Sequence, residues 1–273
     1  MKIAIVKLSA LGDIIHAMTV LQFIQASYPK IEIDWIVEES YKELLDFHPT
    51  ISKVHLVSIK KAKGNRSILM LAKELWRVRG FGQYDMVIDM QGLIKSAIIS
   101  RFIRSPLTIG FDRHSAREGI ASFFYHKKFK YDYGSNVVER NFELVKFALG
   151  LNCSNQKLLS KSSFLYSSKK YVINQISSSK KNIILIPGAS HFSKRYPPKK
   201  LAELANLLDA NFIVIWGGKD EKKLAYEVQS FAPKVNISTK LSLEILISLI
   251  SQVDLVIGPD TGPTHIAWAL NIP

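Results

Sequence analysis

The chain has 273 residues but only one cysteine, Cys153, and this scarcity limits its chemistry. One thiol cannot form an internal disulfide, and without a companion cysteine it cannot build the thiolate cluster of a structural zinc site. The sequence also lacks an apolar run of the roughly 18 residues that a membrane-spanning helix requires. Its N-terminal apolar stretch is interrupted by Lys7 and Asp13 and has no small-residue cleavage pattern. These absences predict a cytoplasmic protein.

Several motifs that carry well-known chemistries are absent as well. The chain has no Gly-x-Gly-x-x-Gly and no Gly-x-x-x-x-Gly-Lys-Ser/Thr, so the usual dinucleotide and P-loop sites have no sequence support. It has no His-Glu-x-x-His zinc motif and no Gly-x-Ser-x-Gly nucleophile elbow. Zinc-peptidase and α/β-hydrolase chemistry are therefore not predicted.

Acidic residues are few relative to basic ones: 23 Asp and Glu stand against 37 Lys and Arg, which gives a formal charge of +14. Such an excess predicts an anionic partner, which can be nucleic acid, an anionic membrane surface or a phosphorylated substrate. The basic residues do not interleave with aromatics in an RNA-binding motif, and no helix-turn-helix pattern stands out. Nucleic acid is therefore the least favoured of the three.

The segment 53–79 carries eight basic residues against one acid, which accounts for the whole charge excess of the first half of the chain. A solvated basic face is the ordinary interpretation of such a segment, and a binding surface for an anionic ligand is the alternative. The densest part of the segment, in a predicted loop and the helix start after it, consists of Lys60, Lys61, Lys63 and Arg66.

Short apolar runs alternate with helical patterns along the whole chain, which is typical of parallel sheets covered by helices. In the first half the pattern predicts strands at 2–7, 31–37, 53–58, 84–89 and 107–111, and helices at 14–27, 40–47, 67–79, 92–103 and 136–149. In the second half it predicts strands at 182–186, 211–216, 234–238 and 254–257, and helices at 198–208, 219–231, 242–251 and 262–270.

We therefore predict an α/β protein with two Rossmann-like lobes, residues 1–165 and 166–273, whose parallel sheets face a cleft. A stretch rich in Ser, Lys and Asn at 151–180 suits the connection between them. In such sheets ligands bind beyond the carboxyl ends of the strands. Residues 271–273 resemble a chain that stops just before a further strand, so we expect a short C-terminus.

The first strand is followed by a turn that contains Gly12 and Asp13 and opens a helix. Glycine permits a close backbone approach, and aspartate is a favoured residue at or near a helix N-cap, where it also stabilises the helix dipole. Capping is thus a sufficient explanation for Asp13. A carboxylate fixed at the ligand edge of a sheet is also well placed to act as a base.

Three polar loops of the second half follow strands in the same way, at 187–197, 216–221 and 258–265. Small and hydroxyl residues at a helix start, as in 258–265, form an anion site from free N–H groups and the helix dipole. A turn with a cap is the simpler interpretation of that stretch, and a packed histidine is the simpler one for His265. Because all three loops lie on the expected ligand side, together they favour a binding site.

These stretches, in this order, resemble the bacterial heptosyltransferase family, which are inverting glycosyltransferases of the GT-B fold. The segments 35–39 (Trp-Ile-Val-Glu-Glu) and 91–96 (Gln-Gly-Leu-Ile-Lys-Ser) are similar to the members that add the first heptose to the Kdo sugar of the lipopolysaccharide inner core. The matching stretches span nearly the whole chain: 7–16, 35–39, 85–96, 115–118, 121–125, the loop around Lys194, 216–217 and 258–265.

The resemblance implies ADP-L-glycero-β-D-manno-heptose as donor and Kdo-lipid A, an anionic lipid, as acceptor. It implies that Asp13 is the general base, Lys194 contacts the diphosphate, Asp260 holds the heptose hydroxyls and Glu221 reaches the ribose. The rest of the implied donor site is Ser190, Thr261, Gly262 and His265. The implied acceptor site is Gly12, Lys60, Lys61, Lys63, Arg66, Lys95 and Arg117.

The sequence has no Asp-x-Asp, the pair with which many metal-dependent glycosyltransferases hold a divalent ion on the diphosphate. We therefore expect no metal and no cofactor, with Lys, Arg and backbone N–H groups meeting the charge of the leaving group. The resemblance further implies a monomer on the cytoplasmic face of the inner membrane. Another GT-B transferase, either a different heptosyltransferase or one with a UDP- or GDP-sugar donor, is the alternative, because the donor's identity comes from the resemblance alone.

Overall fold

A computed structural model of the chain describes residues 1–58 and 68–273, with the backbone alone at 68–71 and 157. The chain divides into two compact units, Met1–Ser162 and Ser163–Pro273. Each unit is an α/β structure with its own parallel sheet and its own buried apolar clusters. The sequence pattern placed the division at 165/166, three residues further along.

In unit 1 all strand pairs are parallel and the strand order is β3-β2-β1-β4-β5-β6. Strand β1 is central, and its apolar residues Ile3 to Val6 are fully buried because both faces of the sheet are covered. The strands described in this unit are β1 (Lys2–Val6), β2 (Glu32–Glu38), β3 (Ile51–Val57), β4 (Met86–Asp89), β5 (Thr108–Phe111) and β6 (Lys127–Phe129).

The helices of unit 1 carry local start and stop signals. For α5 (Val137–Leu149), the Asn136 side chain accepts a hydrogen bond from the Val138 N–H at 2.8 Å, and Gly150 ends the helix in the left-handed conformation with φ of 66°. The other helices described here are α1 (Leu11–Met18), α2 (Val20–Ser27), α3 (Ile68–Arg79) and α4 (Ile94–Phe102), with 3₁₀ turns at Glu39–Leu44, Gly119–Phe124 and Asn155–Ser160.

Unit 2 is a smaller parallel sheet in the order β10-β7-β8-β9. Pro198 occupies the first turn of α6, where its missing N–H costs nothing, and the Ser242 hydroxyl caps α8 through the Ile245 N–H. Its described elements are β7 (Asn182–Leu185), α6 (Pro198–Leu207), β8 (Asn211–Val214), α7 (Lys219–Phe231), β9 (Asn236–Ile237), α8 (Leu243–Ile250), β10 (Leu255–Ile257) and α9 (Gly262–Ala269).

The predicted α/β class with parallel sheets is confirmed, and three local predictions are wrong. The helix expected at 14–27 is two helices, and the helix expected at 40–47 is a 3₁₀ turn. Strand β6 was missed because Lys127-Lys128-Phe129 is a short edge strand with two exposed lysines, so it shows no apolar run. In the described residues no helix is long and apolar enough to cross a membrane.

Candidate active site

The polar residues of unit 1 gather beyond the carboxyl ends of β1 and β4, where the strand order reverses. The loops after these two strands are tied together by hydrogen bonds. The Gln91 side-chain oxygen accepts from the N–H groups of Leu8 and Ser9 at 3.0 and 3.2 Å. The Lys7 ammonium donates to the Met90 carbonyl at 2.9 Å. This is the switch point at which open α/β sheets bind ligands.

A cavity of about 270 Å³ opens at this point and is lined mainly by polar side chains. Its lining residues come from the loops after β1, β4, β5 and β6, from the end of β5, and from the N-terminal parts of α1 and α5. One acidic and three basic side chains line it, so the net charge of the lining is positive and favours an anionic ligand. The lining residues are Lys7, Asp13, Met90, Gln91, Phe111, Arg117, Tyr133, Val137, Arg140 and Asn141.

Asp13 lies in the first turn of α1 and not at its cap. The N-cap is Ala10, three residues earlier, and the Asp13 carboxylate accepts a hydrogen bond from the Ala10 N–H at 3.2 Å. The sequence pattern placed Asp13 at or near the cap and the helix start at 14, because Ala is a poor capping residue, whereas the helix starts at Leu11. The carboxylate is half-buried, is fixed by this hydrogen bond and lines the cavity.

Lys7 is the buried cation of the cavity, with 5% of its surface exposed. Burial lowers the pKa of its ammonium, against the opposing effect of the carboxylates of Asp13 and Asp89. The positive charges of Arg140 and Arg117 lower that pKa further. Lys7, Arg117 and Arg140 therefore repel one another, and an anion bound in the cavity would reduce this repulsion.

Arg140, a residue of α5, packs its guanidinium against two aromatic rings from outside that helix. Its guanidinium lies 4.9 Å from the Phe111 ring and 4.6 Å from the Tyr133 ring, and it donates to the Ser115 carbonyl. Burial lowers its pKa as well. Its Nε atom is buried and has no hydrogen-bond acceptor, and the same holds for the amide nitrogen of Asn141. Arg140 and Asn141 are neighbours on the helix, and both residues contribute to the cavity lining.

Behind the cavity, a fully buried aspartate fixes the loop after β4. Asp89 accepts hydrogen bonds from the Gln91 and Gly92 N–H groups at 2.8 and 3.3 Å and from the Tyr125 hydroxyl at 2.8 Å. Burial raises the pKa of Asp89 and also that of Tyr125. Tyr125 in turn packs on Gly110 of β5 so closely that a Cβ there would lie 2.4 Å from its ring.

In unit 2 the polar residues lie at the start of α9 and in the loop after β7. Asp260 contacts two basic side chains: its carboxylate lies 2.6 Å from the Lys194 ammonium and 3.1 Å from His265 Nε2. Both members of the Lys194–Asp260 pair are exposed, with side-chain exposures of 44% and 64%. Three predicted donor-site residues are thus brought together from two separate loops.

The start of α9 presents N–H groups beside this cluster. Thr261 is the N-cap, and its N–H donates to the Thr264 hydroxyl at 3.0 Å. The hydroxyls of both threonines donate to the Pro259 carbonyl, at 3.3 and 3.0 Å. Gly262 opens the helix and leaves room for a ligand to approach the backbone. Thr264 was not among the predicted site residues, although the spacing of a capping box marks it.

Glu221 lies in the first turn of α7 and binds the loop that precedes it. One carboxylate oxygen accepts from the Gly217 and Gly218 N–H groups at 2.6 and 3.2 Å. Its side chain packs on Gly188, where a Cβ would lie 2.4 Å from the Glu221 Cγ. Glu221 therefore joins the loops after β7 and β8, and its contact with a ribose stays a prediction. Ser190, in the loop after β7, is exposed.

The predicted acceptor residues fall into three groups. Arg117 lines the cavity, and Gly12 lies next to Asp13 in the first turn of α1. Lys95 is not part of the cavity lining, because its ammonium pairs with the buried Glu38 at 3.1 Å. Outside the described residues lie Lys60, Lys61, Lys63 and Arg66.

The sequence pattern did not single out Lys7, Gln91, Arg140 and Asn141 as site residues, yet all four line the cavity. Lys7 and Gln91 occur inside the stretches that carry the family resemblance, so a residue-by-residue comparison could have found them. Arg140 and Asn141 lie within a helix of ordinary appearance. Only the topology brings α5 to the carboxyl end of β1.

Comparison with known proteins defines the class first. The whole chain superimposes on 87% of the solved structure of E. coli heptosyltransferase WaaC with ADP-2-deoxy-2-fluoro heptose, with a TM-score of 0.85 and 27% identity. The fold is that of the GT-B glycosyltransferases, and the protein is a glycosyltransferase, as the sequence motifs predicted.

The family follows from the sequence comparisons. Residues 70–273 match the model of glycosyltransferase family 9 (heptosyltransferase). The chain is 39% identical to lipopolysaccharide heptosyltransferase 1 of Campylobacter coli, over 100% of this chain and 82% of that protein. It is 30% identical to the enzyme of the same name from Pseudomonas aeruginosa, over 100% and 77%. The chain belongs to glycosyltransferase family 9, which confirms the resemblance to heptosyltransferases.

Proposed function

We propose that this protein transfers L-glycero-D-manno-heptose from ADP-heptose to the Kdo sugar of Kdo-lipid A, the first heptosyl transfer of the lipopolysaccharide inner core. The observation that carries the proposal is the cavity of unit 1, where one carboxylate, Asp13, stands among three cations. The names of the relatives, lipopolysaccharide heptosyltransferase 1, support the same reaction.

The cavity suits an acceptor that carries an acid group beside the hydroxyl that reacts. Lys7 and Arg140 are buried or half-buried, so their attraction for an anion is screened less than that of surface lysines. Kdo carries a carboxylate, and the guanidinium groups of arginines such as Arg117 and Arg140, which line the cavity, bind carboxylates strongly. In this proposal the three cations orient the sugar and Asp13 faces its hydroxyl.

In the reaction, Asp13 takes the proton of the acceptor hydroxyl while its oxygen attacks the anomeric carbon of the heptose. The new bond forms on the face of the anomeric carbon opposite the diphosphate. The bond between that carbon and the diphosphate oxygen breaks, and ADP leaves with the electron pair. The configuration at the anomeric carbon is therefore inverted. The proton on Asp13 passes to solvent before the next turnover.

Unit 2 is the donor side of the proposal. On donor binding, Lys194 would exchange its ion pair with Asp260 for one with the diphosphate, which would also accept from the N–H groups at the start of α9. These donors stabilise the growing negative charge of the leaving group. Asp260, released from Lys194, can then accept from sugar hydroxyls. Lysine and backbone N–H groups thus take the place of a divalent metal, so activity should survive EDTA and gain nothing from added magnesium or manganese.

The test is to supply the purified protein with ADP-heptose and Kdo-lipid A and to follow both ADP release and the mass of the lipid product. We expect a gain of one heptose, with no product from lipid A that lacks Kdo. Turnover of a UDP- or GDP-sugar in preference to ADP-heptose, or transfer that does not require Kdo, would instead support another GT-B transferase.

A further inference from the structure

Two large apolar side chains point to solvent from the 3₁₀ turn Gly119–Phe124. Ile120 is 60% exposed and Phe123 is 71% exposed. They are three residues apart, and side chains at this spacing lie one above the other in a 3₁₀ helix. The turn therefore presents one continuous apolar ridge.

The ridge is held rigidly from below. Ala121 and Tyr125 are buried in a small cluster with Ala97 of α4. The Ser122 hydroxyl donates to the Gly119 carbonyl at 2.8 Å, and the Ala121 N–H donates to the Glu118 carbonyl at 2.8 Å. With the inner residues fixed in this way, Ile120 and Phe123 have no route into the core of unit 1.

Cationic side chains flank the ridge on both sides. The Lys128 ammonium of β6 lies 5.7 Å from the Phe123 ring. At the other end, the stem of Arg113 packs on Gly119, where a Cβ would lie 3.2 Å from the Arg113 Cγ. Between positions 113 and 130 the sequence has five Lys and Arg residues and one acid, Glu118. The carboxylate of that acid accepts from the Ile94 N–H and is thus tied to the protein.

The ridge is also connected to the cavity. Arg117 lines the cavity and stands three residues before Ile120. The Glu118 N–H donates to the Gly92 carbonyl at 3.0 Å, which joins the turn to the loop that carries Gln91. Whatever surface covers the ridge is thus held at a fixed place relative to the cavity lining.

We propose that Arg113, Ile120, Phe123 and Lys128 form a docking patch that binds the surface of an anionic bilayer. Aromatic and aliphatic side chains enter the boundary between headgroups and acyl chains, and flanking cations attract the phosphates of anionic lipids. Charge complementarity favours this occupant over a second copy of the chain, which is itself strongly basic. The patch deepens the proposed function, since it would bring the cavity to a lipid-borne acceptor.

The experiment measures vesicle binding without any acceptor, so its outcome does not depend on heptosyl transfer. The protein is sedimented with vesicles of phosphatidylethanolamine containing about a quarter phosphatidylglycerol, and in parallel with pure phosphatidylcholine vesicles. The variants are Ile120→Ser with Phe123→Ser, and Arg113→Gln with Lys128→Gln. Two matched controls lie in unit 2: Leu207→Ser, which alters a side chain 82% exposed, and Lys169→Gln with Lys170→Gln.

Wild type and both controls should bind the anionic vesicles and not the neutral ones. Each patch variant should bind at least about tenfold more weakly, as expected for the loss of two interfacial side chains or two surface charges. In the charge variant the dependence of binding on salt should become shallower. Equal binding by all variants, or no binding of wild type to anionic vesicles, would overturn the patch.

Two further measurements separate the patch from other roles. Gel filtration should show the same molecular mass for wild type and patch variants, and a dimer that the variants dissociate would assign the ridge to a second copy. If the enzyme transfers heptose as proposed, the variants should lose activity on vesicle-bound acceptor and keep it on deacylated acceptor. An equal loss on both acceptors would place the residues in catalysis and reject the docking role.

Discussion

The two units hold their charged residues in opposite ways. In unit 1 the lysine of the cavity is 5% exposed and its aspartate partners are fixed by backbone N–H groups, so the charges are arranged before any ligand arrives. In unit 2 Lys194 and Asp260 are both exposed and neutralise each other. The site of unit 1 is thus formed on folding, whereas in unit 2 a ligand has to break the ion pair between Lys194 and Asp260.

This difference predicts how each unit responds to substitution. In unit 1 a changed charge alters a site that is already assembled, so the effect should fall on the substrate held there or on the chemical step. In unit 2 the exposed pair adds little to stability, because surface ion pairs contribute about 0 to 1 kcal/mol. Its residues should matter only when the donor is bound.

The largest effect is expected from Asp13→Asn, which should lower turnover by about 10² or more as for loss of a positioned general base. The asparagine oxygen can still accept from the Ala10 N–H, so the start of α1 and donor binding should be preserved. Turnover of the purified variant and its unfolding in urea measure the two properties. Normal turnover together with a loss of stability above about 1 kcal/mol would reduce Asp13 to a helix-capping role.

Lys7→Met should lower kcat/KM for the acceptor by about 10- to 100-fold, the range expected when one charged hydrogen bond is lost. Stability should fall by about 1–3 kcal/mol, because the change leaves the Met90 carbonyl without its donor and removes the positive charge beside the buried Asp89. The measurements are acceptor and donor KM, and urea unfolding. A rise in donor KM with no change for the acceptor would remove Lys7 from the acceptor site.

Lys194→Gln should raise donor KM about tenfold, as for loss of a charged contact to phosphate, with a stability change below about 1 kcal/mol. The matched control is Lys200→Gln, which removes another exposed lysine of unit 2 from its ion pair with Glu203. That control should leave both KM and stability unchanged. If the Lys194 variant loses stability well beyond the control, the contrast between the units is wrong.

The smallest effect is expected at His48, which lies away from both sites. Burial lowers the pKa of His48 to about 4, and its Nδ1 accepts from the Thr50 N–H, which a protonated ring cannot do. The unfolded chain binds a proton near pH 6.5, so stability falls as pH falls from about 6.5 to about 4. In wild type, protonation of this histidine in the unfolded chain lowers the free energy of unfolding by about 1 kcal/mol at pH 6. His48→Gln should abolish that decrease and leave turnover at about pH 7.5 unchanged.

Unfolding of wild type and His48→Gln in urea at several pH values between about 4 and 8 makes the comparison. The two stability curves should converge at the upper end and separate as the solution becomes acidic. Parallel curves throughout would show that His48 does not sense pH in the folded protein.

The sequence predicted the strands and most helices because apolar periodicity and caps are local signals, and the loops of unit 2 follow directly from strand ends. It could not predict that α5 contributes Arg140 and Asn141, since that depends on how the sheet is ordered. It also placed the start of α1 too late, because the N-cap is an alanine, a poor capping residue whose N–H is bound by the Asp13 carboxylate. Residues at strand ends, including those that meet in unit 2, were thus predictable, whereas the contribution of a helix to the cavity of unit 1 was not.

The close contact between Gly110 and Tyr125 makes the geometry of the cavity sensitive to a substitution in strand β5. Tyr125 holds Asp89, Asp89 holds the loop with Gln91, and Gln91 holds the turn before Asp13. A methyl group at position 110 would displace Tyr125, because a Cβ there would lie 2.4 Å from the tyrosine ring. The displacement would then disturb the hydrogen bonds that follow. Glycine to alanine at position 110 would thus act on the cavity from within the sheet through Tyr125, Asp89 and Gln91, none of which is itself substituted.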